Sequence, residues 1–443
     1  MKIQLTLLGI CALFAFLACA SEGGWTHVDE QDGNFLVNTA SVDALSADPA
    51  IRDELNDVLT EYFGQTRTPR FALLEEWRAQ GFDPNASPLK ALRPESDPGG
   101  PSASAIRADN RRAWASELAA IEAGDLDGIG PWTRRRSLNR SWREFEAQHG
   151  KLGTAEFKRR ATALFAERYP DLEEAAEMFV PNCTRCHGRE GAGDGVLSHR
   201  QLPKPRNFHY GVFKFVAVEG GSKPRRVDLE RTLEYGLPGT AMPGFEWMSL
   251  AERSSLVDYV RYLSIRGEVR RLIVSEWADD DVRPRESVAE MYALVWERWM
   301  DGANSGYDVT APPPDPDPAR LALGDAVFHD AGAGNCMTCH GDDGKGNGPF
   351  AIRIDADGKS YPLLRDDWGA VNLPHDLTDG FFRGGNRRED VYLRIQCGIP
   401  GTPMPALGQS INAAGGPLLS EDEKWALVDF VLSLADSDPP TAP

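Results

Sequence analysis

Two short runs of the sequence combine a pair of thiols with an imidazole. Each run has the form Cys-x-x-Cys-His, and the residues of the two copies are Cys183, Cys186, His187, Cys336, Cys339 and His340. In such a run the thiols add to the vinyl groups of a haem, and the histidine becomes an axial ligand of the iron. Both copies continue as His-Gly-x-x-Gly-x-Gly-[Asp/Asn]-Gly, which argues against coincidence. The sequence therefore predicts two covalently bound haems c.

A third repeated run supplies a candidate for the second axial ligand of each iron. Met242 and Met404 both lie in Gly-[Leu/Ile]-Pro-Gly-Thr-x-Met-Pro, 55 and 64 residues after the respective haem histidine. A thioether on a Pro- and Gly-rich loop can be held rigidly beside the iron, and it favours the ferrous state. His199, His209 and His375 are competing ligands, but none of them recurs in the other copy. We therefore predict His/Met ligation of both irons.

The glycines after each haem histidine have two interpretations. They let the backbone turn tightly beside the porphyrin, which is the interpretation we favour. A calcium or phosphate site is the alternative. Asp194 of the first copy becomes Asn347 in the second, which weakens any metal site common to both.

Four further residues near the repeated runs have predicted roles. Cys397 corresponds to Tyr235 of the other copy, so we predict a buried apolar role and not a reactive thiol or an axial ligand. By their position in the motifs, three cationic side chains are candidate partners of the haem propionates. These are Arg206, Lys214 and Arg383.

The repeated runs lie between helices that are also repeated. The segment DLEEAAEMF leads to the first haem run and ARLALGDAVFHD to the second. After the methionine, SLAERSSLVDYVRYLSIR and LSEDEKWALVDFVLSLA each open with Ser-x-x-Glu, the spacing of a helix-capping box. Between haem run and methionine, KPRNFHYGVFK matches LPHDLTDGFFR. The chain therefore contains an internal duplication of one domain of about a hundred residues.

On these residues both halves resemble class I cytochrome c domains. The resemblance implies small all-α domains in which the first and last helices cross over the haem. The whole pattern is similar to dihaem cytochromes of bacterial respiratory chains. This implies electron transfer from a quinol-oxidising complex or a dehydrogenase to an oxidase or reductase, with the chain as a free carrier or as a subunit of a membrane respiratory complex. A dihaem enzyme such as a cytochrome c peroxidase is the alternative, which two equivalent methionine loops disfavour.

The predicted fold class is all-α, with two tandem class I cytochrome c domains after a mainly helical N-terminal region of unknown role. Apolar residues at helical spacing predict a helix around residues 51–64; they are Ile51, Leu55, Val58, Leu59 and Phe63. Four tryptophans of this region are assigned to packing, namely Trp77, Trp114, Trp132 and Trp142. The expected divisions are a signal peptide (1–20), the N-terminal region (21–168), the first domain (169–268), a helix and Pro-rich linker (269–318), the second domain (319–436) and a disordered tail (437–443).

The first twenty residues have the composition of a targeting segment. Lys2 precedes an apolar stretch that runs to residue 17. The run FLAC at residues 16–19 resembles a bacterial lipobox, in which Cys19 is lipidated and becomes the new N-terminus. An ordinary signal-peptidase site at residues 18–20 and an uncleaved anchor are the alternatives. We expect a periplasmic protein, held by a lipid at Cys19 to the extracytoplasmic face of the cytoplasmic membrane.

Net charge and cysteine content argue against a nucleic-acid-binding protein and against a disulfide-stabilised one. The net charge of −19 disfavours nucleic acid as a partner. Of the seven cysteines, four belong to the haem runs, while Cys11 and Cys19 belong to the leader. Only Cys397 remains, so no structural disulfide framework is expected.

Overall fold

The computed structural model describes residues 48–69, 101–123, 145, 147–148, 155–218, 222–302, 306–307, 309, 312–313, 315–412 and 415–436. The helices are α1 Pro49–Phe63, α2 Ala103–Ala113, α3 Ala115–Ala123, α4 Ala155–Ala166, α5 Leu172–Asn182, α6 Thr184–His187, α7 Arg226–Tyr235, α8 Leu250–Asp280, α9 Pro284–Gly302, α10 Pro318–His329, α11 Met337–His340, α12 Arg388–Cys397 and α13 Glu421–Asp436. The strands are β1 Gly64–Gln65, β2 Thr68–Pro69, β3 Ile352–Ile354 and β4 Ser360–Pro362.

The strands form only two short antiparallel hairpins in the described residues, β1–β2 and β3–β4. The secondary structure is otherwise helical, which confirms the predicted all-α class. The predicted signal peptide, three of the four tryptophans (Trp77, Trp132 and Trp142) and the tail 437–443 lie outside the described residues. Within the described part of the chain, no helix is long and apolar enough to cross a membrane.

The first repeated unit is built on the packing of α5 against α8. Helix α8 begins with the predicted capping box, in which Ser249 Oγ accepts from the Glu252 backbone N–H and Glu252 accepts from that of Ser249. The rings of Phe179 and Tyr259 meet with centroids 5.1 Å apart between the two helices. Helix α8 does not end near residue 268, where we placed the end of the first domain, but continues to Asp280. Its extension buries Ile273 against the core.

The second repeated unit has the same plan, with α10 packed against α13. The two helices approach so closely at Gly324 that a Cβ there would lie 2.1 Å from the Ala426 carbonyl oxygen. Phe328 and Phe430, the counterparts of the aromatic pair in the first unit, have ring centroids 5.4 Å apart. The same crossing of first and last helices therefore occurs twice.

The described N-terminal segments pack onto the first unit. The five apolar residues that predicted the first helix are all buried on α1, which packs against α8 and α9. Helices α2, α3 and α4 form a small core of their own, in which Trp114 is buried as predicted. Asp109 of α2 accepts a hydrogen bond of 2.6 Å from the Leu250 N–H at the start of α8. These segments therefore hold the start and the extension of α8, the last helix of the first unit.

Candidate haem-binding sites

Each Cys-x-x-Cys-His run folds as a single helical turn, α6 in the first unit and α11 in the second. The N–H of Cys183 donates to the Phe179 carbonyl at 2.8 Å, and that of Cys336 to the Phe328 carbonyl at 3.0 Å. These bonds attach the first cysteine of each run to the end of the preceding helix. The local fold of the run is therefore the same in both units.

The glycines after each haem histidine take left-handed backbone conformations. Gly188 has φ +77° and Gly341 has φ +83°, values that an L side chain rarely adopts. Further along, the N–H of Gly346 returns to the His340 carbonyl at 2.7 Å, as that of Gly193 does to the carbonyl of the first histidine. No group of side chains suited to a metal ion occurs among the residues that the structure describes. The glycines are used for the turn, as we predicted.

Both haem histidines have one ring nitrogen hydrogen-bonded to a backbone carbonyl. His187 Nδ1 lies 3.1 Å from the Arg206 carbonyl oxygen, and His340 Nδ1 lies 3.2 Å from that of His375. Arg206 and His375 are equivalent positions of the duplicated segment. Since a carbonyl oxygen only accepts, Nδ1 carries the proton and Nε2 keeps its lone pair for a metal. Burial lowers the pKa of both imidazoles, which favours this neutral form.

The two methionine loops are identical in their hydrogen bonds. The N–H of Met242 donates to Thr240 Oγ1 at 3.1 Å, and that of Met404 to Thr402 Oγ1 at 3.2 Å. Each threonine hydroxyl donates in turn to a carbonyl three residues earlier, at 2.7 Å in both copies. Each methionine carbonyl accepts a backbone N–H from the start of its loop. The loop is therefore a closed, rigid structure that fixes the position of the thioether.

Each unit contains a cavity lined by all four predicted site residues of that unit. The first cavity, of about 160 Å³, is lined by Cys183, Cys186, His187 and Met242. The second, of about 410 Å³, is lined by Cys336, Cys339, His340 and Met404. Most of the other lining side chains are apolar. Two thiols, an imidazole with a free Nε2 and a thioether on one apolar cavity match the chemistry of haem c.

The first cysteine of each run lies in an environment that disfavours the charged thiolate. Burial raises the pKa of Cys183 to about 12, with a smaller contribution from the neighbouring Cys186. Burial also raises the pKa of Cys336 to about 12. None of these cysteines is in a disulfide.

The three competing histidines are used elsewhere. His209 lies outside the first cavity, with Nε2 2.8 Å from the Glu190 carbonyl oxygen. His199 Nε2 accepts a hydrogen bond of 3.1 Å from Arg200. His375 lines the second cavity, but its Nε2 is hydrogen-bonded to the Phe381 carbonyl. The geometry therefore leaves the methionines as the candidates for the second ligand.

The two cavities are neighbours and share part of their lining. Pro203, Lys214 and Phe215 line both of them, and we call these residues the shared wall. Phe215 has φ +61°, a strained backbone conformation for an aromatic residue. Its ring packs so closely on Gly384 that a Cβ built on this glycine would lie 2.7 Å from a ring carbon. The two predicted cofactor sites therefore meet at one wall between the units.

Predicted propionate partners lie along the same boundary. Lys214 of the shared wall forms a 3.3 Å ion pair with Asp366 of the second unit. The Arg206 guanidinium lines the first cavity and stacks on Trp368, 3.6 Å from the ring centroid. Burial lowers the pKa of Arg206 to about 10. Arg383 is an exposed residue that lines the second cavity. All three residues border a cavity, and Arg206 and Lys214 also contact the second unit from the first.

Cys397 has the buried apolar role that we predicted. It is 2% exposed and packs with Ala217 and Leu393 in a small cluster between the units. Tyr235, its counterpart, is 59% exposed. The difference arises because only the second copy of this position faces the other unit.

Three features of the site were missed by sequence reasoning. The hairpin β3–β4 and the segment after it, which carries Trp368, have no counterpart among the described residues of the first unit. Phe215 gave no sign of its left-handed conformation. Arg394 of α12 lines the second cavity and donates to the Val216 carbonyl at 3.0 Å. Only the hairpin had a signal in the sequence. The His-to-Met spacing is nine residues longer in the second copy than in the first, which indicates an insertion there.

Comparison with known proteins identifies the class. A family model described as cytochrome c matches residues 172–264 and 321–435. Both repeated units are cytochrome c domains, and the chain is a c-type cytochrome with haem-based electron transfer as its chemistry. It is similar to a chain of the reducing HAO-like protein complex of Kuenenia stuttgartiensis, with 32% identity, coverage of 59% of this chain and 96% of that chain, and a TM-score of 0.44. No curated protein matches.

Proposed function

We propose that this protein is a dihaem electron carrier in which both irons have histidine and methionine ligands. One haem c would be attached at Cys183 and Cys186, with His187 and Met242 on the iron. The other would be attached at Cys336 and Cys339, with His340 and Met404 on the iron. The observation that carries the proposal is the repetition of one complete donor set in two adjoining cavities. When bound, the two haems supply one-electron redox chemistry.

The chain's own residues would serve this chemistry by holding the cofactors rigid and dry. The backbone carbonyls of Arg206 and His375 orient the two imidazoles. The closed loops around Thr240 and Thr402 keep each thioether in place. With a histidine and a methionine holding each iron, no side chain would be needed as a general acid or base.

The shared wall supports exchange of electrons between the two sites. Pro203, Lys214 and Phe215 are the only described residues that line both cavities. Since the two cavities share these lining residues, we propose that an electron that enters at one site can leave at the other. We propose redox proteins as partners, with a quinol-oxidising complex or dehydrogenase as donor and an oxidase or reductase as acceptor.

We also propose a periplasmic location, with a lipid on Cys19 as the attachment to the membrane. The apolar leader with its FLAC run supports this proposal. Replacement of Cys19 by alanine should move the protein from the membrane fraction to the soluble fraction without loss of haem. A protein that stays in the membrane fraction after this change would contradict the lipid anchor.

The proposal is tested by redox titration of the full chain, expressed with a haem-attachment system and followed in the visible spectrum. Two low-spin transitions are expected. Met242→His and Met404→His should each lower the potential of one transition and leave the other, because imidazole stabilises ferric iron relative to a thioether. Met178→Leu changes a buried methionine that lines neither cavity, and it should leave both transitions unchanged.

Two results would contradict the proposal. A methionine variant that changes neither transition would show that the residue is not a ligand. A haem that is high-spin in the half-reduced protein, together with rapid turnover of peroxide, would favour a dihaem peroxidase.

A further inference from the structure

Arg394 presents buried hydrogen-bond donors that have no acceptor. Its Nε and Nη1 are inaccessible to solvent and have no hydrogen-bond partner in the described part of the chain. Its Nη2 donates to the Val216 carbonyl of the first unit at 3.0 Å. The side chain also lines the second cavity. One edge of the guanidinium is thus fixed to the unit boundary, while two other donors are unused beside the second cofactor site.

An unpaired buried guanidinium is costly. Burial lowers the pKa of Arg394 to about 10. A guanidinium remains charged at neutral pH even so, and a buried charge requires a compensating anion or a set of acceptors. Its unused Nε and Nη1 therefore indicate that a group absent from the chain itself completes the site.

The neighbouring carboxylates do not serve as that anion. Asp228 accepts from the Ala217 N–H at 3.2 Å and from the Arg225 N–H at 3.1 Å. Asp390 accepts from Arg387 Nη2 at 3.0 Å and from Arg231. Both carboxylates interact with other cations, and neither bonds to Arg394.

We propose that Arg394 binds a propionate carboxylate of the haem in the second cavity and so ties that cofactor to the boundary between the two units. The inference rests on the proposed function, because it requires haem in this cavity. Either unused donor can make a charge-assisted hydrogen bond to an oxygen of a carboxylate. The carboxylates are the only anionic groups of the haem side chains, which makes them the natural acceptors for Nε and Nη1.

The first unit has no such residue. The counterpart of Arg394 on α7 is Thr232, whose hydroxyl donates to the Asp228 carbonyl at 3.0 Å and which lines the first cavity. Arg394 lines the second cavity but not the first. Loss of its positive charge should therefore stabilise the ferric state of the second haem and leave the first haem largely unchanged.

The test is redox titration of the haem-loaded full chain with Arg394→Gln and Arg394→Lys. The Gln variant should shift only the transition of the second haem to lower potential, with its low-spin spectrum retained. The Lys variant should shift the same transition less, because it keeps the positive charge but loses the fixed planar donors of the guanidinium. Met242→His assigns the first transition. Arg353→Gln removes an exposed guanidinium from the same unit, outside the cavity, and should change neither potential.

The outcomes separate this inference from the proposed function. Unchanged potentials in the Arg394 variants, or equal shifts of both transitions, would overturn the inference and leave the dihaem carrier in place. If the Gln variant does not accumulate, the Lys variant decides, since an unchanged second transition there also overturns the inference. A wild-type protein with a single haem transition would overturn the proposed function itself, and the inference with it.

Discussion

Replacement of Gly398 by alanine should displace Met404 from its proposed position as an iron ligand and leave the first unit intact. Gly398 has φ +65° at the start of the loop that carries Met404. A Cβ there would lie 2.7 Å from the Met404 carbonyl oxygen and 2.7 Å from the Ala406 nitrogen. These neighbours are backbone atoms, so no side-chain rotation can relieve the contact. The loop must move, and the thioether moves with it.

The magnitude has two parts. A left-handed backbone conformation costs a residue with a Cβ about 1–2 kcal/mol. Forcing additional atoms into a closely packed site typically costs about 1–3 kcal/mol. We therefore expect Gly398→Ala to lower the free energy of unfolding by about 2–5 kcal/mol. Gly236, with a Cβ contact of 2.6 Å to the Met242 carbonyl oxygen, should show the same effect in the first unit.

Gly358 offers a matched control. It has φ +77°, yet nothing lies within 4 Å of a Cβ built on it. Gly358→Ala should therefore cost only the conformational part, about 1–2 kcal/mol, and leave both haem spectra unchanged. Urea unfolding gives the free energies, and the visible spectrum reports whether each iron keeps the methionine ligand that we propose. If Gly398→Ala keeps both His/Met spectra and costs no more than the control, our account of the loop is wrong.

Three further predictions concern the packing around the sites. Asp366→Asn should lower the free energy of unfolding by about 1.5–3 kcal/mol, because it removes the charged partner of mostly buried Lys214. A double-mutant cycle with Lys214→Met, measured by urea unfolding, would show no coupling energy if the ion pair is unimportant. Cys397→Ser should cost about 1–3 kcal/mol by placing a hydroxyl in an apolar cluster, whereas Cys397→Ala should cost less and both variants should keep two haem spectra. The hydrogen bond from Arg283, 3.0 Å at Nε, holds the pKa of Glu54 below its ordinary value. The contribution of Glu54 to stability is therefore complete above that ordinary pKa and is lost as the pH falls through the lower folded-state pKa. Limited proteolysis at α1 should increase as the pH falls through these two pKa values in the wild type, but not in Glu54→Gln.

Much of each site was predictable because it depends on local sequence. The Cys-x-x-Cys-His turn, the left-handed glycines after it and the loop before Met404 are closed by hydrogen bonds within a few residues. The same is true of the capping box at Ser249. Duplication strengthened these predictions, since each motif could be checked against a second copy. Helix α1 was also predictable, because burial of one face requires apolar residues at helical spacing.

Other features depend on contacts between distant parts of the chain. The extension of α8 beyond residue 268 is stabilised by packing on α1 and α9, which comparison of the two copies could not indicate. The support that α2 gives to α8 through Asp109 joins residues 141 positions apart. No local pattern contains such information, so the role of the N-terminal region had no sequence signature.

The sequence by itself determined the two cytochrome c domains and predicted a haem site in each, because covalent attachment and axial ligation require fixed residue types at short spacings. Only the tertiary structure decided that the two cavities share Pro203, Lys214 and Phe215, and that Arg394 is fixed to Val216 across the boundary. The physical reason is that each unit could fold around its own core with its own ligands. How the units face each other depends on complementary surfaces whose residues are far apart in the chain.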